Sequence, residues 1–247
     1  MAQHDSKVAF ITGANRGIGL ETARKLGELG ITIVLGVRDP GKGQAAVRQL
    51  AAAGIRAESI GYDAADPASA DAVYEHLASR YGKLNILVNN AGMSQEQLLG
   101  HNDSSTVSQQ VLQNTFQVNL FAVIALTQTL LPLLRKAPAG RIVNLSSILG
   151  SLTLHSMPDS PIEPAKSFAY DASKTALNAY TIHLAHELRD TGIKVNSAHP
   201  GWVKTELGGE HAPMEVADSW KTSVRLATLD ASGPSGGFFH EADTLPW

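Results

Sequence analysis

The chain has 247 residues, of which 43% are apolar, and its formal net charge is −3 at pH 7. This length and apolar content suffice for one α/β domain over residues 1–247, and the slight negative charge offers no basis for binding nucleic acid. The sequence contains no cysteine, which excludes disulfides and thiolate metal sites, so no metal site is expected.

A glycine-rich turn, TGANRGIG at residues 12–19, separates the first predicted strand from the first predicted helix. A strand, a glycine turn and a helix form the context of a dinucleotide-binding fingerprint. Gly13 would allow the tight turn, Gly17 the close approach of a pyrophosphate, and Gly19 close packing of helix on strand. Backbone N–H groups at the helix start would then hold the phosphates. Glycine turns of this kind also occur as plain loops.

The end of the second predicted strand indicates which dinucleotide would bind. In doubly wound folds an acidic residue there takes the ribose hydroxyls of NAD, whereas a basic one takes the 2′-phosphate of NADP. The strand ends in Arg38, and Arg16 lies in the glycine turn; two guanidiniums suit a phosphate. Asp39 would oppose that phosphate if it turned inward, but it is interpreted as a solvated loop residue. The sequence therefore favours NADPH over NADH.

Strand and helix patterns alternate along the chain, which predicts a parallel sheet covered by helices on both faces. The predicted strands are Val8–Ile11, Ile31–Val37, Glu58–Tyr62, Ile86–Asn89, Arg141–Leu145, Lys194–Ser197 and Gly237–Phe239. The predicted helices lie near 18–29, 41–53, 67–80, 107–135, 168–190 and 214–229. No apolar run is expected to approach the roughly 20 residues that span a bilayer. Residues 1–7 show no signal-peptide core, so a cytoplasmic location without membrane contact is expected.

Tyr170 and Lys174 lie four residues apart in YDASK, within a predicted helix. Residues four apart on a helix share a face. A phenol alone is a poor proton donor at neutral pH because its pKa is about 10, and a neighbouring cation lowers that pKa toward the range useful for acid–base catalysis. Alone, such a pair is more often a surface helix pair. The glycine turn and an upstream serine pair favour catalysis.

Seven motifs occur in one order along nearly the whole chain: TGANRGIG at 12–19, Asp63, NNAG at 89–92, Asn119, Ser146-Ser147, YDASK at 170–174 and PGWVKT at 200–205. Together they resemble the short-chain dehydrogenase/reductase family. The segments RDPGKGQAA at 38–46, HPGWVKT at 199–205 and SGPSGGFF at 232–239 look most like its carbonyl reductase branch. The resemblance implies a Rossmann-type, doubly wound sheet of seven parallel strands.

The resemblance also implies the catalytic residues. Tyr170 would give a proton to a carbonyl oxygen, and Ser147 would hydrogen-bond that oxygen. Lys174 would bind the nicotinamide ribose and lower the pKa of the tyrosine. Asn119 would hold a water that links Lys174 to solvent, and Ser146 is interpreted as a hydrogen bonder at the end of a strand.

The resemblance further implies how the cofactor is bound. Asp63 would hydrogen-bond near the adenine ring, and 90–92 would line the adenine ribose. The backbone of Val203 and the hydroxyl of Thr205 would hold the nicotinamide carboxamide, while Asn89 is interpreted as a tie between strands. The predicted cofactor-binding residues are Gly13, Asn15, Arg16, Gly17, Ile18, Gly19, Arg38, Asp63, Asn90, Ala91, Gly92, Tyr170, Lys174, Pro200, Gly201, Val203 and Thr205.

The main departure from the family lies between Ser147 and Tyr170, which 22 residues separate. An insertion loop over about 150–167 is predicted; its stretch 155–166 carries three prolines and is not expected to form regular structure. Similar insertions in carbonyl reductases cover the helix face that otherwise forms a subunit interface. A monomer or weak dimer is therefore favoured over a tetramer.

Residues Met93, Leu149, Trp202 and Leu207 are predicted to form a substrate pocket, and segment 206–217 a lid over it. His183 and His186 have a spacing that could bind metal, but they are interpreted as a solvated helix face. The leading function is NADPH-dependent reduction of a ketone or aldehyde, with a small-molecule carbonyl substrate that is apolar and aromatic or bulky. An alcohol dehydrogenase working mainly in oxidation is the alternative within enzymes. A cofactor-sensing binding protein is the alternative outside them; such proteins tend to lose the catalytic tyrosine or lysine.

Overall fold

The chain folds around one sheet in a computed structural model that describes residues 6–97, 99–100 and 102–247. The strands are Val8–Thr12 (β1), Thr32–Val37 (β2), Ala57–Gly61 (β3), Ile86–Asn89 (β4), Arg141–Leu145 (β5), Lys194–Ala198 (β6), Phe238–His240 (β7) and Asp243–Thr244 (β8). Their order is β3-β2-β1-β4-β5-β6-β7-β8, and β1 to β7 are all parallel. The predicted doubly wound sheet is confirmed. The predicted count of seven strands is wrong by one, because the chain turns back after β7 and adds the antiparallel β8.

Helices cover both faces of this sheet. They are Gly17–Glu28 (α1), Pro40–Ala52 (α2), Ala68–Tyr81 (α3), Gln109–Phe116 (α4), Ala122–Leu134 (α5), Leu152–Ser156 (α6), Phe168–Glu187 (α7) and Lys221–Ala227 (α8). One apolar core joins the sheet to α1, α2 and α8, and a second joins it to α3, α5 and α7. With helices on both faces, central strands such as β1 and β2 are buried at every residue, as expected for parallel strands that are covered on both sides.

The helix predicted near 214–229 is wrong in its first half. Met214 instead pairs with Val203 in an isolated bridge, in which its N–H donates to Trp202 O at 3.1 Å and its carbonyl accepts from Lys204 N at 2.8 Å. Because these backbone groups are committed to the segment after β6, only a 3₁₀ turn at Val216–Asp218 precedes α8.

The prediction of no regular structure over 155–166 is wrong at the first two residues of that stretch. Helix α6 covers Leu152–Ser156, and the Ser151 side chain caps it by accepting from Leu154 N at 3.2 Å. A serine N-cap satisfies an N–H group that a helix otherwise leaves open. After α6 the insertion continues as turns, one bend and irregular chain up to the start of α7.

Residues Gln109–Leu134 form one helical stretch, in which the π-helical turn Gln117–Phe121 joins α4 to α5. It has 26 residues, and its most apolar 18-residue window has a mean hydropathy of 1.6, so it is long and apolar enough to cross a membrane by length and composition alone. The expectation that no stretch reaches that length is wrong by this criterion. Half of its most apolar window is buried, and Leu126, Leu130 and Leu133 belong to the core, which accounts for the apolar sequence.

Candidate active site

A cavity of about 980 Å³ opens at the carboxyl edge of the parallel strands, where the strand order reverses between β1 and β4 and doubly wound folds bind ligands. The predicted site residues on its wall are Gly13, Asn15, Arg16, Gly17, Ile18, Gly19, Arg38, Asp63, Asn90, Ala91, Gly92, Met93, Ser147, Leu149, Tyr170, Lys174, Pro200, Gly201, Trp202, Val203, Thr205 and Leu207. The predicted residue that does not reach the wall is Asn119.

The glycine turn after β1 has the shape that a pyrophosphate requires. Gly13 and Gly17 have φ values of +65° and +57°, in the left-handed region that favours glycine. A Cβ on Gly19 would lie 2.5 Å from Asn90 Nδ2, the amide that donates to the Thr12 carbonyl at 2.8 Å. Among the described residues no side chain caps α1, so the N–H groups of its first turn fit a phosphate group.

The tip of β2 presents a cation to the cavity. Arg38 is exposed and lies on the cavity wall. Asp39, expected to be a solvated loop residue, is exposed but is also the N-cap of α2, since its carboxylate accepts from two N–H groups of the first turn at 2.8 and 3.1 Å. That carboxylate is held by the helix and does not oppose a phosphate beside Arg38.

The second guanidinium expected at this phosphate is held elsewhere. Arg16 pairs with Glu206, at the start of the segment predicted to form a lid. Their side chains are 69% and 73% exposed, and such an exposed pair contributes little free energy, so Arg16 can change partners. Asp63 lies on the wall after β3 and accepts from Ala65 N at 3.0 Å.

Ser147, Tyr170 and Lys174 meet at the other end of the cavity. Lys174 Nζ donates to Leu145 O at 2.8 Å and lies 5.6 Å from the centre of the Tyr170 ring. The Ser147 hydroxyl is close enough to the Tyr170 phenol to lower its pKa. Ser147 Oγ also accepts from Leu149 N at 3.2 Å, which fixes the hydroxyl oxygen and leaves its proton to be donated.

Burial dominates the titration of this group. It raises the pKa of Tyr170 to about 12, against the lowering effect of the Ser147 hydrogen bond and with a further rise from Asp171. Burial also lowers the pKa of Lys174 to about 8. The expectation that Lys174 brings the tyrosine pKa down is not met in this structure, because burial of the phenolate and the Asp171 charge raise the pKa by more than the Ser147 hydrogen bond lowers it. Tyr170 is the protonated phenol at neutral pH.

Asn119 lies behind the reaction centre, fully buried in the π-helical turn. Its Oδ1 accepts from Met93 N at 2.9 Å, and its Nδ2 donates to Met93 O at 2.9 Å and to Ser173 Oγ at 3.0 Å. The amide therefore fastens the segment after β4 to α7, which satisfies the need of a buried asparagine for partners. That it also holds a water stays a prediction.

The part of the cavity wall that was predicted to bind substrate is apolar. Leu149 and Tyr170 pack with Ile162 of the insertion in one buried cluster. Trp202 is 38% exposed on the opposite wall, and its Nε1 donates to a carbonyl of segment 206–217 at 2.7 Å. Sequence reasoning missed Ile162, for which the signal was an isolated branched apolar residue among the prolines of the insertion.

His199 is a second wall residue that the sequence analysis missed, although it directly precedes PGWVKT. Its Nδ1 accepts from Ile148 N at 3.2 Å, so the ring proton belongs on Nε2. The His240 ring lies 5.0 Å away, centre to centre. Burial, with a smaller contribution from His240, lowers the pKa of His199 to about 3, so the imidazole is neutral throughout the physiological range.

This histidine is expected to make the fold sensitive to acid. Its pKa falls from 6.5 to about 3 on folding, so the unfolded chain binds the proton first. The stabilisation is present above pH 6.5 and is lost as the pH falls toward 3, by an amount on the order of 4 kcal/mol. Denaturant unfolding of His199→Asn should be less steeply pH-dependent in this window than that of the wild type. His183→Asn, at an exposed histidine, should match the wild type, and equal slopes for all three would contradict the assignment.

Several other polar residues have structural positions. Asn89 Nδ2 donates to Asn144 Oδ1 on the neighbouring strand at 2.8 Å, which confirms its interpretation as a tie between strands. Ser146 donates to an amide oxygen on α7 at 2.7 Å, as expected of a hydrogen bonder at a strand end. His183 and His186 are exposed on α7. Within the described part of the chain, no three His, Cys, Asp or Glu side chains are grouped as metal ligands.

Comparison with known proteins agrees with this geometry. The family profile described as short chain dehydrogenase matches residues 7–215. Carbonyl reductase (NADPH) 3 of Mus musculus is 31% identical, over 98% of this chain and 99% of its own. The (−)-isopiperitenone reductase of Mentha piperita is 30% identical, over 94% and 96%. The crystal structure of NADPH-bound carbonyl reductase from chicken fatty liver superposes with a TM-score of 0.85 at 28% identity, covering 98% and 99%. The chain therefore belongs to the short-chain dehydrogenase/reductase family of oxidoreductases and is similar to the carbonyl reductases within it.

Proposed function

We propose that the chain reduces a ketone or aldehyde to an alcohol, with NADPH as hydride donor and Tyr170 as proton donor. The observation that carries this proposal is the convergence of Ser147, Tyr170 and Lys174 on one wall of a cavity whose other end is formed by the glycine turn and Arg38. The relatives named as NADPH-dependent carbonyl reductases support the same reaction.

Each catalytic residue has a defined task in this reaction. The reduced nicotinamide, when bound, supplies a hydride to the carbonyl carbon. The Tyr170 phenol gives its proton to the carbonyl oxygen, and the Ser147 hydroxyl donates a hydrogen bond to that oxygen as negative charge develops. Lys174 would hold the nicotinamide ribose and supply positive charge beside the phenolate that remains. Hydride and proton together convert the carbonyl into an alcohol.

Preference for NADPH would rest on Arg38. Arg38→Ala is expected to raise the KM for NADPH about tenfold or more, because a hydrogen bond to a charged group contributes about 1.5–3 kcal/mol, and to change the KM for NADH little. Steady-state kinetics with both cofactors would measure this. Arg48→Ala, which removes an exposed arginine on α2, is the matched control. Equal loss with both cofactors would place recognition of the 2′-phosphate on another group, with Arg16 the first to test.

The proposed reaction is tested by the decrease in near-ultraviolet absorbance of NADPH and, separately, NADH. A panel of ketones, aldehydes and quinones, ranging from small and polar to bulky and apolar, would serve as substrates. The buried cluster of Leu149 and Ile162 predicts faster turnover of bulky apolar carbonyls. If NADPH binds but none of these substrates leads to its consumption, the cofactor-sensing alternative would be favoured.

The alternative within enzymes is alcohol oxidation by the same groups. Oxidation begins with a phenolate that accepts a proton, whereas reduction begins with a protonated phenol. Burial raises the pKa of Tyr170 to about 12, so the form present at neutral pH is the one that reduction uses. Comparison of the initial rates of carbonyl reduction and alcohol oxidation near pH 7 would separate the two.

The insertion at about 150–167 and the lid at 206–217 remain proposals about this domain, as do a cytoplasmic location and a monomeric or weakly dimeric state. The lid residues Leu207 and Val216 line the cavity, which supports closure over substrate.

Phe121 and Ile182 are 52% and 40% exposed, so the insertion does not cover these apolar residues on the outer helices. A stable tetramer in light scattering would contradict the proposed assembly state.

A further inference from the structure

Four ionisable side chains meet just outside the reaction centre, where the insertion approaches the first turn of α7. His155 and Lys166 belong to the insertion, Asp171 follows Tyr170 on the helix, and Glu96 comes from the segment after β4. None of the four lies on the cavity wall. Their contacts link the backbone segments that carry the two catalytic hydroxyls.

His155 is the centre of this group. Its Nε2 lies 2.9 Å from Leu149 O and 3.3 Å from Asp171 Oδ2. Its Nδ1 accepts from Lys166 Nζ at 2.9 Å, and an ammonium only donates, so the ring proton must sit on Nε2. One N–H group is therefore shared between the Leu149 carbonyl and the Asp171 carboxylate.

Each of these two acceptors belongs to a residue that controls a catalytic hydroxyl. The N–H group of Leu149 donates to Ser147 Oγ at 3.2 Å, so fixing the Leu149 peptide also fixes the serine oxygen. Asp171 directly follows Tyr170, and its Oδ2 accepts from Ser167 N at 3.1 Å. The carboxylate thereby holds the first turn of the helix from which the phenol projects.

Glu96 holds the same helix start from the opposite side. Its Oε2 accepts from Tyr170 N at 2.9 Å, which satisfies one of the N–H groups that a helix leaves open at its first turn. Its own backbone is braced by Ser94, whose hydroxyl accepts from Glu96 N and donates to Glu96 O, both at 3.1 Å. The Glu96 carboxylate thus holds the backbone N–H of Tyr170 directly, while the carboxylate of the next residue, Asp171, holds the start of the same helix at Ser167.

Burial and the neighbouring charges shift the pKa values of Asp171 and His155. Burial, reinforced by Glu96, raises the pKa of Asp171 to about 7 against the opposing effects of the Ser167 hydrogen bond and Lys166. Burial and Lys166 lower the pKa of His155, which keeps its ring neutral. Asp171 Oδ1 is buried with no hydrogen-bond partner among the described residues, so Oδ2 makes the contacts on which the helix start depends.

We propose that His155 and Asp171 are positioning residues that set the separation of the Ser147 and Tyr170 hydroxyls by joining the Leu149 peptide to the first turn of α7. The effect on turnover rests on the proposed function, whereas the structural link between the two segments does not depend on it. Because a displacement of about 1 Å in a reacting geometry can lower the rate by about 10²-fold, a loss of this link affects kcat more than binding.

The test compares His155→Ala with His155→Gln, which keeps a side-chain N–H donor, and with His183→Ala as a control at an exposed histidine. His155→Ala is expected to lower kcat about tenfold, with the Kd for NADPH, measured by fluorescence titration, within twofold of the wild type. His155→Gln should recover part of the lost kcat. Asp171→Ala approaches the link from its other end, and the double variant should lose less than the product of the two single losses.

Hydrogen exchange measured by mass spectrometry gives a readout that is independent of activity. In His155→Ala, faster exchange is expected in peptides covering both 147–151 and 167–171. Faster exchange confined to 152–166 would mean that His155 only orders its own loop, and would overturn the proposal. A kcat equal to that of the wild type with unchanged exchange would also overturn it. If the wild type itself reduces no carbonyl, the proposed function fails, while the exchange pattern still decides whether the link exists.

Discussion

Replacing Tyr170 with phenylalanine is expected to lower kcat for carbonyl reduction by about 10²- to 10⁴-fold, while the Kd for NADPH stays close to that of the wild type. The substitution removes only the phenolic hydroxyl, which is the proposed proton donor and whose pKa the neighbouring Ser147 side chain lowers. The ring, which packs against Leu149 and Ile162, is retained, so the wall of the cavity keeps its shape. Steady-state kinetics and a fluorescence titration with NADPH would separate the two effects.

The matched control for this variant is Tyr180→Phe, which removes a hydroxyl from the same helix at a residue that does not line the cavity. Its kcat should equal that of the wild type. Loss of NADPH binding together with turnover in Tyr170→Phe would indicate that the hydroxyl supports the structure of the site. Wild-type turnover in that variant would exclude Tyr170 as the proton donor.

Replacing Lys174 with methionine is expected to reduce both turnover and affinity for NADPH, each by tenfold or more, since charge-assisted hydrogen bonds contribute about 1.5–3 kcal/mol. The ammonium donates to Leu145 O at 2.8 Å, and a Cβ added to Gly92 would lie 3.4 Å from it. It therefore sits between β5 and the NNAG segment, where the nicotinamide ribose would bind. This double loss distinguishes the lysine from the tyrosine.

The fold itself should tolerate that substitution. Burial lowers the pKa of Lys174 from 10.5 to about 8, so the folded chain holds this charge less readily than the unfolded chain does. Above pH 10.5 the amine is neutral in both the folded and the unfolded chain, and its burial costs no charge desolvation. As the pH falls from 10.5 through about 8, protonation favours the unfolded chain and the folded state loses stability. Lys174→Met removes this loss of stability at neutral pH. Lys136→Met, at an exposed lysine, is the control. A variant that is fully active, or one that is unfolded at neutral pH, would contradict this account of Lys174.

The sequence predicted those parts of the molecule that depend on local patterns. The glycine turn, the seven parallel strands and the Tyr170–Lys174 pair each follow from residues close together in the chain. The predicted residues converge on one cavity because the carboxyl ends of parallel strands share one edge of the sheet. The end of a predicted strand therefore placed Arg38 correctly with respect to the sheet, and the motif order did the same for Ser147 and Lys174.

What the sequence did not predict depends on contacts between distant segments. The carboxylate of Glu96 reaches Tyr170 N across 74 residues, and no local pattern marks it. His155 reaches Asp171 from helix α6, and the prolines of the surrounding insertion gave no reason to predict a helix there. The titration of Tyr170 was also misjudged, because four-residue spacing reveals a neighbouring charge but not the depth of burial, and burial has the larger effect here.

The central claim is that this chain delivers a hydride from NADPH to a carbonyl carbon, with the proton supplied by Tyr170. It is tested most directly with NADPH that carries deuterium in place of both hydrogens at its hydride-donating carbon. Mass spectrometry of the alcohol formed from an apolar ketone should show one deuterium on the carbinol carbon with the wild type and almost no alcohol with Tyr170→Phe. An alcohol without deuterium, or equal labelling by both proteins at equal rates, would contradict the account.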